Sequence, residues 1–102
     1  MASRAAAVHA HDCPVAKAAA LVGDAYTLLI VRDLLAGPRR FCELEMSIEG
    51  ISTRTLSAKL KKLETDGIIK HAAARSAYSL TPKGRALAGV TEALRKFGKR
   101  YL

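Results

Sequence analysis

The sequence predicts a mainly α (α+β) fold, a winged helix-turn-helix with a short β-hairpin wing. Three observations lead there. Two helical patterns flank a glycine-bearing turn at Gly50. Two strand-like runs, Ile68-Ile69 and Tyr78-Ser79-Leu80, follow the second of them across a short loop of polar and alanine residues. A final amphipathic segment then closes the chain. At 102 residues the chain suits one domain with a modest core.

Residues 1–12 are alanine-rich and lack clear stop signals, so they read as a flexible N-terminal arm ahead of a domain over 13–102. Pro14 suits a first helical turn, and Val15, Ala19 and Val22 repeat at helical spacing. Gly23 is expected to end that helix in a left-handed cap, and Asp24 to cap the next. Ala25 to Ala36 is apolar nearly all round and should be the buried central helix, stopped by Gly37-Pro38. A short helix over about Arg40 to Ser47 carries Phe41, Leu44 and Ile48 on one face. Ser52 opens a helix whose Leu56, Leu60 and Leu63 fall at i, i+4 and i+7, ending at Gly67. Thr81-Pro82 pairs a cap with proline at the first helical position, and the spacing predicts one helix to Tyr101.

Charge is the informative part of the composition. Seventeen Lys and Arg against nine Asp and Glu give +8, and the surplus is uneven. Residues 1–51 sum to −1 and residues 52–102 to +9, which suggests a binding face for a polyanion rather than general solvation. No apolar run approaches the ~18 residues that span a bilayer, the longest being Tyr26 to Val31. With no secretory h-region, the expected place is the cytoplasm, with no membrane partner. Two cysteines do not make a disulfide scaffold.

The helix from Ser52 carries the chemistry. Around a 100° wheel, Arg54, Ser57, Ala58, Lys61 and Lys62 lie away from the leucine stripe, with Thr53 at its edge. That face is basic, hydroxylic and small at its centre, which is what entry into a DNA major groove requires. The first turn, Ser52 to Thr55, also offers free backbone N–H groups to a phosphate. The candidate DNA-binding residues are therefore Ser52, Thr53, Arg54, Thr55, Ser57, Ala58, Lys61 and Lys62, with Arg75 reaching from the wing. The bland counterpart is a solvated amphipathic helix and a plain surface hairpin.

Leu87, Val90, Leu94, Phe97 and Tyr101 are spaced 3, 4, 3 and 4, an a/d seam that predicts a C-terminal dimerisation helix over 81–101. A homodimer would set two such helices on successive half-sites. Cys13 directly precedes the first helix, and the positive end of a helix favours a thiolate, so it is the redox-sensing candidate. A small packed hydrophobe is its ordinary alternative, and Cys42 looks partly packed. His9, His11 and Cys13 alternate, but three ligands at strand spacing in an arm do not make a metal site. No nucleophile elbow, phosphate-cradling glycine loop or HExxH is present, and Glu43, Glu45 and Glu49 have no His beside them. Neither catalysis nor a cofactor is expected.

Cys13-Pro14-Val15, then Leu21-Val22-Gly23 with Tyr26 to Leu35, then Gly37-Pro38-Arg39-Arg40-Phe41 with Glu43-Leu44 stand in a familiar order. Gly50 to Ser57, Lys59-Leu60, Leu63-Glu64, Asp66-Gly67-Ile68-Ile69, Tyr78 to Thr81 and Gly84 continue it. Over about residues 13–101 the chain thereby resembles the HxlR-type family of bacterial winged helix-turn-helix regulators, relatives of the MarR type. The resemblance implies a homodimeric transcription factor on palindromic double-stranded operator DNA; repression is the expected mode, though the residues do not themselves separate it from activation. It also implies that Cys13 stands where several members sense quinones, aldehydes or oxidants, so a small electrophile or oxidant is the expected effector. Tyr26 replaces the family's usual Trp, Asp24-Ala25 its Gly-Lys and Cys42 a frequent Asn, and the wing over 70–77 is shorter without a proline-rich tip. The rival reading is a winged-helix module for a protein or small ligand, with no sequence-specific DNA binding.

Overall fold

The structure, a computed structural model, describes residues 13–72 and 76–102. The expected arm over 1–12, with His9 and His11, and the wing tip with Arg75 lie outside the described residues. The element order is α1 (Pro14–Val22), α2 (Ala25–Ala36), β1 (Arg39–Arg40), α3 (Phe41–Ser47), α4 (Thr53–Thr65), β2 (Ile69–Ala72), β3 (Ala77–Leu80), α5 (Pro82–Arg85) and α6 (Ala88–Tyr101). Helices α3 and α4 form the helix-turn-helix, and the hairpin is the wing.

Pro14 stands at the start of α1, with Cys13 in the extended N-cap position. The Asp24 side chain caps α2 by accepting from the Thr27 backbone N–H at 3.0 Å. Between them the chain turns through 83°. Gly23 does not take the expected left-handed cap: its φ is −80°, and Asp24 starts α2 at once. Left-handed glycines stand instead at Gly50 (φ +86°), in the turn before α4, and at Gly67 (φ +77°), directly after it.

The core sits where α2, α3, α4 and the sheet converge. Ile30, Val31 and Leu34 of α2 meet Leu44 and Ile48, the α4 stripe Leu56, Leu60 and Leu63, and Ile68, Ile69 and Leu80. Helix α2 is less enclosed than its composition suggests, since Leu28, Leu29 and Leu35 are only half-buried. The stripe on α4 carries fold energy: cutting one of its leucines to alanine should cost about 2–5 kcal/mol.

Three details correct the sequence reading. Arg40 is not helical; it caps α3, and its N–H donates to Glu43 Oε1 at 2.7 Å. With Arg39 it forms β1, which pairs antiparallel with β3, so the expected hairpin is a three-stranded sheet in the order β1-β3-β2. A two-residue strand carries too little periodicity to be seen in advance. Lastly, the C-terminal helix is two helices. Thr81 caps α5, accepting from the Gly84 N–H at 3.1 Å, and α5 ends after one turn. The break at Ala86-Leu87 lets Leu87 pack against the domain's own core and aims α6 separately.

Candidate nucleic-acid interface

The turn between α3 and α4 is held from both sides. Tyr26 of α2 donates its hydroxyl to the Gly50 carbonyl at 3.3 Å, so its side chain buttresses the turn. From α3, the Glu45 carboxylate accepts from the Thr53 hydroxyl. Ser52 is the N-cap of α4: its Oγ accepts from the Thr55 N–H at 3.1 Å and donates to Thr55 Oγ1 at 3.0 Å. The acidic stretch Glu43 to Glu49 is thus partly consumed in building the motif, Glu43 and Glu45 each tying a helix start.

These ties sort the expected site residues. The side chains of Ser52, Thr53 and Thr55 have partners inside the domain, and so does Lys62, 2.7 Å from Asp66 one turn on. Arg54, Ser57, Ala58 and Lys61 lie together on the exposed face of α4. Among the described residues, neither Arg54 nor Lys61 makes a side-chain hydrogen bond or ion pair. A guanidinium, a hydroxyl and an ammonium therefore point outward around a methyl group, a surface without bulk at its centre. Lys59, which is not among the expected site residues, turns to the flank, 3.0 Å from Asp24 Oδ2.

Two electrostatic details border this face. Partial burial raises the Asp24 carboxyl, but the hydrogen bonds from the Thr27 hydroxyl and backbone, and then from Lys59, outweigh it and hold the group at about 2. On the wing, His71 stacks on Tyr78 with ring centroids 4.1 Å apart and planes within 8°. Burial, and then the Glu64 carboxylate, push the Tyr78 phenol up.

On another side of the domain, α6 exposes Val90, Leu94, Phe97 and Tyr101, from 43% at Val90 to 63% at Tyr101. Phe97 and Tyr101 have ring centroids 5.0 Å apart. Val90 and Leu94 also line an apolar groove of about 410 Å³ against Val15, Ala19, Val22 and Leu28. Leu87, expected at the head of this seam, faces inward instead. Cys13 is exposed beside Pro14 and Val15, which line the groove, and Cys42 is exposed on α3 rather than partly packed. Among the described residues, no three His, Cys, Asp or Glu side chains cluster to hold a metal, and no single helix is long and apolar enough to cross a membrane.

The family described as HxlR-like helix-turn-helix matches residues 21–102. An uncharacterised HTH-type transcriptional regulator of Synechocystis, sll1512, is 36% identical over 97 residues, spanning 90% of this chain and 72% of that protein. YvaP of Bacillus subtilis, also an uncharacterised HTH-type transcriptional regulator, is 36% identical over 88% of this chain and 89% of its own. Among solved structures, a putative MarR-family regulator from Porphyromonas gingivalis superposes with a TM-score of 0.82 at 33% identity, covering 90% of this chain and 95% of that one. The quinone-bound form of YodB from B. subtilis gives 0.77 at 33% identity, over 87% of this chain and 100% of its own. The redox regulator HypR in its reduced form gives 0.79 at 25% identity, over 86% and 92%.

Proposed function

Because the chain belongs to the HxlR-like helix-turn-helix family, and so is a transcriptional regulator of that type, we propose that it binds palindromic operator DNA as a cytoplasmic homodimer and represses from it. The observation that carries this reading is the outward face of α4. Arg54, Ser57, Ala58 and Lys61 are left without internal duties while the residues around them are tied down. Arg54 suits a guanine edge, and Ser57 and Lys61 suit a base or phosphate. Val90, Leu94, Phe97 and Tyr101 of α6 would bury against a second copy, adding apolar contact to a small core.

Cys13 is the proposed sensor. Its exposed thiol sits at the start of α1, beside an apolar groove of about 410 Å³ that has room for a small ring. Conjugate addition of the thiolate to a quinone would form one S–C bond, the electron pair moving to the ring oxygen, which takes a proton from water. The names of YodB, bound to quinone, and HypR, a redox regulator, support that direction.

The experiment is a gel shift with DNA from upstream of the protein's own gene. A specific shift is expected, weakening steeply with salt as counterions are released. Arg54→Ala should lose both affinity and sequence preference; unchanged binding on both counts rejects α4 as the reading helix. A promoter fusion should show higher expression when the protein is absent. Diamide or a quinone should release the wild-type protein and spare Cys13→Ser, whereas equal release of both excludes Cys13 as the sensor.

A further inference from the structure

We infer that Lys59 is a positioning residue and not a phosphate ligand: its ion pair with Asp24 ties α4 to the α1–α2 elbow and sets the roll of the face carrying Arg54, Ser57 and Lys61. The inference rests on the reading of α4 as the groove helix and adds to it a residue that acts from outside the contact surface.

Sequence separation is the first argument. Among the described ion pairs, Arg32–Asp33, Lys62–Asp66 and Arg95–Glu92 each join residues within four positions. Asp24–Lys59, 35 positions apart, is the one that joins distant elements. It links the start of α2 to the middle of α4.

Asp24 is also a fixed anchor. Its Oδ1 accepts from the Thr27 N–H at 3.0 Å and its Oδ2 from the Thr27 hydroxyl at 2.6 Å, and Thr27 itself is buried. The carboxylate is therefore oriented by the helix cap, so Lys59 meets an acceptor that does not have to be ordered for it. An ion pair loses much of its value to the ordering of two long side chains, and here one partner is short and already held.

Placement on the helix completes the case. Lys59 lies about 100° round the wheel from Ala58, off the centre of the exposed face. With Lys62 and Leu63 it closes a small cleft of about 100 Å³ against Leu21, Asp24 and Thr27. On the opposite flank Thr53 is held by Glu45. A helix seated on a leucine stripe can still rock about its axis, and these two ties restrain it from either side. A roll of about 15° swings a guanidinium tip through about 2 Å, the scale on which bidentate base contacts are lost.

The test compares Lys59→Met, Lys59→Arg, Lys61→Met, Asp24→Asn and the double variant Asp24→Asn/Lys59→Met, each checked to be folded at the assay temperature. Two duplexes serve as probes: the protein's own upstream DNA and a base-shuffled duplex of equal length, each over a salt series. Lys59→Met should lower the ratio of the two affinities about two- to fivefold, the range of an exposed ion pair, and leave the salt slope as in the wild type. Lys61→Met should reduce that slope by about one. Asp24→Asn should reproduce the loss in ratio, the double variant should be no worse than either single, and Lys59→Arg should restore it. A slope reduced by about one in Lys59→Met makes Lys59 a phosphate ligand and overturns the inference. So does an unchanged ratio, or losses that multiply in the double variant. If the wild-type protein does not distinguish the duplexes, the groove reading fails and the positioning role falls with it. The tie is then judged alone from the NMR titration of the Asp24 carboxyl, which must move up in Lys59→Met; an unmoved curve removes the tie as well.

Discussion

The Glu45 carboxylate on α3 accepts a hydrogen bond from the Thr53 hydroxyl in the first turn of α4. This contact crosses the turn of the helix-turn-helix. It sets a negative charge near the positive end of α4, where it complements the helix dipole. The start of α4 is thereby tied to the turn that precedes it.

Glu45→Ala should therefore destabilise the domain by about 0.5–1.5 kcal/mol, the value of one such hydrogen bond. Glu45→Gln, which keeps an acceptor oxygen but loses the charge, should cost less than half as much. Urea denaturation measures both. Equal losses would mean that the charge matters and the hydrogen bond does not.

A second prediction concerns acid. Asp24 titrates at about 2 in the folded protein against an ordinary value of 3.8. A depressed folded-state value means that the carboxylate contributes stability above about pH 4, and this contribution is lost as the pH falls toward 2. Asp24→Asn retains a good helix cap and removes the titration. The stability gap between wild type and Asp24→Asn should be full at pH 6 and close between pH 4 and pH 2. A gap that stays constant across that range would show that the fold does not favour the carboxylate over the carboxylic acid at Asp24.

Most of the fold was legible because its signals are local. Leu56, Leu60 and Leu63 announce the α4 stripe, Asp24, Ser52 and Thr81 announce three helix starts, and all three cap as expected. What stayed hidden depends on partners far along the chain. Arg39 and Arg40 form a strand because Tyr78 and Ala77 lie opposite them, which no property of Arg-Arg foretells. The break before α6 was masked because Leu87 continues the heptad spacing while packing inward. In the candidate site, the basic face of α4 was readable from the wheel. The tie that holds Lys59 at its flank was not, since Asp24 lies 35 positions away in the chain.

Gly84 gives a sharper stability test. A Cβ there would lie 2.2 Å from the Ile68 carbonyl oxygen and 3.0 Å from Leu80 Cδ2, so α5 can reach the sheet only without one. The carbonyl belongs to backbone and cannot swing aside. Gly84→Ala should cost about 3 kcal/mol or more, as backbone strain or overpacking does. Gly89 on α6 has nothing within 4 Å of its Cβ position. Gly89→Ala should be neutral or stabilise by up to about 1 kcal/mol through helix propensity. Thermal unfolding of the pair decides it, and an Ala tolerated at position 84 would mean that α5 can lift off the sheet.

The exposed seam of α6 yields the last prediction. Phe97 and Tyr101 meet as a tilted pair at its C-terminal end, and Arg100 lies 5.4 Å from the Tyr101 ring centroid. Helix α6 has no buried residue of its own, although Val90 and Leu94 flank an apolar groove beside α1 and α2. A fourteen-residue helix with no fully buried residue has little to hold it helical in isolation, because short helices depend on tertiary packing. A second copy laid along the seam would supply that packing. Phe97→Glu sets a charge where it would have to be desolvated against the partner, while in the single chain the same position is more than half exposed and tolerates it. Sedimentation equilibrium should thus give twice the chain mass for the wild type and the single chain mass for Phe97→Glu. The melting temperature should rise with protein concentration in the first and not in the second. A wild-type protein that sediments as one chain at micromolar concentration would sink the dimer and leave the seam without an occupant. A dimer that survives Phe97→Glu would place the contact on some other surface.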